Sequence, residues 1–142
     1  MALIGGGGSP NVSGGANPAG TGSSINYIGK HAYANSGTFE ATTSAQTVLQ
    51  FTTASVYIVG TLQLNSAIQF SNVSVRQSAA RISFDGQIVA ILSAGDANED
   101  APLSQATDIL LPPYTNVKVE VISSSGDSDN FVTVGIVGEV YN

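Results

Sequence analysis

Residues 117–121 read Val117-Lys118-Val119-Glu120-Val121, three valines alternating with two charges. Successive side chains of a strand point to opposite faces, so this stretch predicts a β-strand with one face buried and one wet. A helix would put Val119 on the side away from Val117 and Val121. Downstream, Val132, Val134 and Ile136 keep the same period within Phe131–Tyr141, and Gly138 interrupts before Val140. Upstream, Arg81–Phe84 and Gln87–Leu92 flank Asp85-Gly86. That dipeptide is the strongest two-residue hairpin signal, because both positions of a type I′ turn take positive φ.

Other segments fit the same scheme. Thr38–Thr42 and Thr47–Phe51 are short strands. Val56–Leu64 is a longer apolar run in which Gly60 is expected to form a bulge. Ala67–Arg76 alternates through Ile68 and Phe70, then through Val73 and Val75 after a phase change at Ser71-Asn72. Leu110-Leu111-Pro112-Pro113 must be extended before each proline and cannot be a central strand, so it reads as a crossing between sheets. Ala97–Thr107 has room for one helical turn, which Pro102 limits. About eight strands spaced by about 8–12 residues make an all-β protein. The expected form is an antiparallel β-sandwich, jelly-roll-like.

Composition agrees. Val, Ile and Thr number 14, 11 and 11 of 142 residues against 8 Leu. β-branched side chains are stiff in a helix and pack well on a pleated surface. Lys+Arg is 4 and Asp+Glu is 10, so the net charge is −6. Four cations cannot track a phosphate backbone, which argues against nucleic acid as a partner. Without Cys there is no disulfide and no thiolate metal site, and one His makes no His cluster. The longest apolar runs fall far short of the about 20 residues of a membrane span. Met1-Ala2-Leu3-Ile4 has neither the basic nor the long apolar region of a signal peptide. Synthesis in the cytoplasm without a classical export signal is the expectation.

The chain divides at residue 24. Residues 1–24 hold 8 of the 16 glycines and no charged side chain. Glycine is costly to order, yet it lets a backbone lie close against another surface. The segment is therefore expected to be an extended arm docked on a partner, with Leu3, Ile4, Pro10, Val12 and Pro18 as its contacts. Residues 25–142 form the sandwich domain.

Candidate chemistry is sparse. Asp96, Asn98 and Asp100 stand at the first, third and fifth places of a calcium-type loop. Ala101 replaces the expected glycine and Thr107 the expected glutamate, so a solvated acidic loop is the better reading and no metal or cofactor is expected. Gly126–Asn130, between two strong strands, reads as a hairpin loop. His31 could join a serine and an acid, but no Gly-x-Ser-x-Gly elbow occurs. Glu40, Glu99, Glu120 and Glu139 could in principle supply paired carboxylates for glycoside hydrolysis, but Glu120 and Glu139 sit at polar strand positions and are expected to face solvent or to pair with Lys118 or an arginine across the sheet. Arg76 and Arg81, flanking a short turn at residues 77–80, could fork onto a carboxylate of a neighbouring subunit. The five tyrosines could make a sugar-stacking platform, although they are scattered in sequence.

One resemblance adds to this. Phe84–Ala90, Leu110–Thr115, Val117–Val121 and Val134–Tyr141 together resemble small β-sandwich decoration, or cement, proteins of tailed bacteriophage capsids. It covers residues 80–142 in strand-and-turn pattern and the whole chain only in composition. It implies a non-enzymatic virion structural protein on the capsid surface, binding the major capsid protein and stabilising the shell as a homotrimer. It brings no set of functional residues. The alternatives are another virion component (head fibre, tail fibre or tail adaptor) or, from a different class, a carbohydrate-binding module or adhesin.

Overall fold

The computed structural model describes residues 25–68, 76–96, 104–124 and 130–142. Among these lie nine strands: β1 (Asn26–Ile28), β2 (His31–Glu40), β3 (Gln46–Thr52), β4 (Tyr57–Ile68), β5 (Arg76–Phe84), β6 (Gln87–Asp96), β7 (Ser104–Leu111), β8 (Asn116–Ser123) and β9 (Asn130–Tyr141). They form two antiparallel sheets, ordered β1-β2-β9-β4-β7 and β3-β8-β5-β6. The chain is all-β and sandwich-like.

The core comes from the inward phase of both sheets. Val117, Val119 and Val121 are buried, as the opening pentapeptide requires, while Lys118 and Glu120 stay partly exposed. Ala80, Ile82, Leu49 and Phe51 join them from the four-stranded sheet. Val132, Val134, Ile136, Ile58, Leu62 and Leu64 face them from the five-stranded sheet. Fully burying one such side chain stabilises the fold by about 1.5–3 kcal/mol. The Asp85-Gly86 turn is present, with φ of 48° and 89°. It is also tied to β8, since Asp85 accepts a 2.9 Å bond from the Asn116 N–H and returns one from its own N–H to the Asn116 carbonyl.

The Pro112-Pro113 stretch does cross between sheets, carrying the chain from β7 to β8. Thr53 pins the crossing. Its hydroxyl donates to the Pro112 carbonyl at 2.6 Å and accepts from the Thr115 N–H at 2.9 Å.

Several expectations need correction. Gly60 forms no bulge: β4 pairs β7 and β9 in continuous register through it. It lies opposite Gly138, and neither position has room for a side chain. β2 begins at His31 and not at Thr38. Its alternation is hidden by a register shift between Asn35 and Thr38, where Ser36 and Gly37 are both buried. The Ser36 hydroxyl accepts the Val134 N–H at 2.9 Å and donates to the Gly37 carbonyl at 2.7 Å, which holds the irregular backbone.

Residues 77–80 are not a turn. They belong to β5, where Ser78 and Ala80 point inward as small residues between larger ones. β8 and β9 lie in different sheets and so make no hairpin with each other, and residues 126–129 between them lie outside the described residues. Residues 104–107 are strand. The remainder of the expected helical turn, and the positions Phe70, Ser71, Asn72, Val73 and Val75, lie outside the described residues.

Candidate functional site

The two broad outer faces differ in chemistry. Backbone register sets the outer face of the four-stranded sheet in rows, one running Thr47, Glu120, Arg81, Ile91 and the next Gln50, Lys118, Ser83, Ile88. Glu120 accepts from Arg81 at 3.5 Å and from Lys118 at 3.1 Å. These side chains are between a quarter and two fifths exposed, so the pairs contribute little, about 0–1 kcal/mol each. The expected pairing of Glu120 with Lys118 and an arginine is therefore present.

The outer face of the five-stranded sheet gathers exposed apolar residues at one end, and turns polar beyond them at Asn35, Thr38, Gln63, Asn65 and Thr133. One row runs Ile28, His31, Glu139, Val59, Leu110 from β1 to β7. The next runs Asn26, Tyr33, Val137, Thr61, Asp108, with Asn26 itself buried. On the other side of the first row Tyr57 and Tyr141 stand opposite each other. Ile28, Tyr57, Val59, Leu110, Val137 and Tyr141 are all exposed, and Val137 reaches 64%. Outward positions on a solvated sheet are ordinarily polar. Contiguous exposed apolar surface of this kind is unusual on a solvated sheet and makes this end the candidate contact surface.

At one end of this face an open notch of about 700 Å³ lies between the β1–β2 turn and the C-terminus. It brings together Lys30, His31, Glu139 and Tyr141. The Tyr141 hydroxyl donates to Glu139 Oε2 at 2.8 Å. Ionising Tyr141 breaks that bond and sets a phenolate beside a carboxylate, so its pKa is raised above the ordinary phenol value. A raised folded-state pKa means that the contact is present below the ordinary phenol range and is lost as pH rises through the folded value. Glu139→Gln should bring the Tyr141 titration back down toward 10.0. Ultraviolet phenolate absorbance, differenced against Tyr141→Phe, reads it; an unchanged titration would show that Glu139 does not set it.

Three exposed tyrosines gather at this end. Tyr57 and Tyr141 are cross-strand partners. Tyr114, 74% exposed and with φ of 55°, is bonded through its N–H to the Ala54 carbonyl at 3.0 Å, in the loop that leads into Tyr57. Tyr27 is partly buried beneath them, and its hydroxyl accepts the Ala54 N–H at 3.5 Å. Burial raises its pKa, and that hydrogen bond opposes the rise.

His31 is exposed on β2, directly across from Ile28 and Glu139, neither of which is a serine. Glu120 and Glu139 lie on opposite broad faces. Stacked sheets are about 10 Å apart before side chains are added, so these two cannot flank one glycosidic bond. Arg76 and Arg81 share one strand and are separated by about 17 Å of it, so they do not form the joint fork. Arg81 is already engaged with Glu120. Asp96 ends β6, where its backbone pairs with Arg76. Asn98, Asp100, Leu3, Ile4, Pro10, Val12 and Pro18 lie outside the described residues. Among the described residues no group of three His, Asp or Glu could hold a metal ion.

The apolar end of the five-stranded sheet was not legible beforehand. Its signal was available in Val59, Leu110 and Val137, apolar residues in the outward phase of their strands, but reading it required the register between strands distant in sequence. Comparison with known proteins gives no match: no family model, no curated protein and no solved structure is significantly similar to this chain.

Proposed function

We propose that this chain is a non-enzymatic structural protein of a bacteriophage virion, a decoration or cement protein. It binds the major capsid protein at the capsid surface and stabilises the shell. Residues 1–24 dock along that shell, and the protein acts as a homotrimer.

The observation that carries this reading is the strand order. β2-β9-β4-β7 lies over β3-β8-β5-β6, with consecutive strands alternating between sheets on either side of the β5–β6 hairpin. That interleaving supports reading the sandwich as a jelly roll, a double Greek key used by viral capsid and lectin domains. Fold analogy supplies the class of protein and the apolar end of the five-stranded sheet supplies the means of assembly. Binding at many symmetric sites turns weak contacts into avidity without any catalytic group.

The test is sedimentation of the full chain with phage capsids that lack it. Co-sedimentation together with a higher capsid disassembly temperature is the expected result. A protein that stays in the supernatant would overturn the reading. A second reading, carbohydrate binding, is favoured by the three exposed tyrosines at one end, since sugars stack on aromatic faces. It requires retention on a polysaccharide that Tyr57→Ala or Tyr141→Ala abolishes.

A further inference from the structure

We infer that the outer face of the five-stranded sheet, centred on Val137, Val59 and Leu110, is where copies of this chain associate with one another. The inference deepens the assembly reading above by naming the face, and it rests on the homo-oligomer in that reading.

Area is the first argument. Strands lie about 4.8 Å apart and rise about 3.4 Å per residue. Strands β1, β2, β9, β4 and β7 have 3, 10, 12, 12 and 8 residues, so their sheet presents a face of about 700 Å². A stable protein–protein interface takes about 800 Å² from each partner. The whole face, an apolar end with a polar remainder at Asn35, Thr38, Gln63, Asn65 and Thr133, is therefore of the size that a second copy needs, and it has the apolar core and polar rim of an interface.

Charge is the second. Two copies of a chain with net charge −6 repel each other unless they meet where carboxylates are few and engaged. In the two apolar rows of this face the acids are Glu139 and Asp108, and Glu40 stands at the opposite end of β2. Glu139 accepts from the Tyr141 hydroxyl, and Asp108 accepts from the Thr61 hydroxyl at 3.5 Å. His31 stands beside Glu139 in the same row, with Lys30 in the adjoining turn. The apolar end of the face thus carries little net charge within an acidic protein.

The third argument is contrast. The opposite broad face carries the Arg81–Glu120–Lys118 cluster, which would have to be desolvated on docking. Its exposed apolar residues, Ile88, Val89 and Ile91, are confined to the edge strand β6. Interface cores are depleted of charge and enriched in tyrosine, which describes the first face and not the second.

The experiment is the mass of the full chain in solution by light scattering, across a concentration series, for the wild type, Val137→Lys, Val137→Thr and Ile91→Lys. The wild type is expected as a multiple of 14.4 kDa. Val137→Lys should be monomeric and Ile91→Lys should match the wild type. Val137→Thr keeps the strand-favouring shape and serves if the lysine variant fails to fold; it should raise the dissociation constant about tenfold. A monomeric wild type overturns the inference. This includes a monomer whose melting temperature falls on Val137→Lys, since that outcome puts the chain's own residues 1–24 on the face. A multimer that none of the position-137 variants weakens overturns it as well. Shell sedimentation of the same samples is a separate readout. A monomer that still binds shells removes this face and leaves the decoration reading standing. A multimer that ignores shells does the reverse.

Discussion

Gly60→Ala is expected to destabilise the fold by about 3 kcal/mol or more, enough to leave a substantial unfolded fraction. Gly60 lies between Gly138 of β9 and Ile109 of β7, in the middle of the five-stranded sheet. A Cβ there would stand 2.1 Å from the Val137 carbonyl oxygen and 2.5 Å from the Gly138 Cα. Both are backbone atoms in the longest strand pairing of the sheet, so no side chain can swing aside. Gly138 is closed in the same way, with a Cβ meeting the Val59 carbonyl oxygen at 2.7 Å and the Gly60 Cα at 2.9 Å. The row they share runs Tyr27, Ala32, Gly138, Gly60, Ile109, with large side chains at its ends and almost none at its centre. Either strand would have to move away from the other, and with it the row of Val59 and Glu139 on the outer face. Gly135→Ala is the control, because a Cβ there meets its nearest atom at 3.4 Å, an Asn35 side-chain nitrogen. It should cost less than about 1 kcal/mol. Urea unfolding of the two variants decides the matter; equal midpoints would contradict the packing described.

Asn130→Leu is the second large effect, with an expected loss of about 2 kcal/mol. Asn130 opens β9 in the five-stranded sheet and is 3% exposed. Its amide donates to the Ser123 hydroxyl on β8 at 2.6 Å and to the Ser78 hydroxyl on β5 at 3.2 Å. Both acceptors belong to the other sheet, so this amide is a polar tie through the end of the sandwich. The leucine removes both bonds and leaves buried polar oxygens facing an apolar group. Unfolding midpoints read the loss; a midpoint equal to the wild type would show that the tie contributes nothing.

The strand period was legible where it was undisturbed. Val117, Val119 and Val121, and then Val132, Val134 and Ile136, are buried on the phase that their spacing demands. Asp85-Gly86 announced its own turn, because the dihedral requirement is local. The Pro112-Pro113 crossing followed from the missing N–H groups. What failed were features whose cause lies in a distant strand. Gly60 read as a bulge because its partner, Gly138, is 78 residues away in sequence. Residues 77–80 read as a turn because Ser and Ala are small, while their smallness fits the space beneath Asn130 and the facing sheet. Residues 126–130 read as a hairpin because nothing local tells whether two neighbouring strands share a sheet. The start of β2 was hidden by the irregularity at Ser36 and Gly37, which shifts the phase halfway along.

The same limit applies to the candidate site. His31, Glu139, Tyr57 and Tyr141 come from three strands, and only register brings them to one end of one face. A composition poor in charge gives the expectation of binding by surface, and the apolar end of the five-stranded sheet is where we propose that surface lies.

The most direct measurement is light scattering of the purified full-length chain, alone and with capsid shells that lack it. A stable trimer that associates with the shells is the predicted result. A monomer that remains free in their presence would contradict both the assembly and the decoration of a capsid.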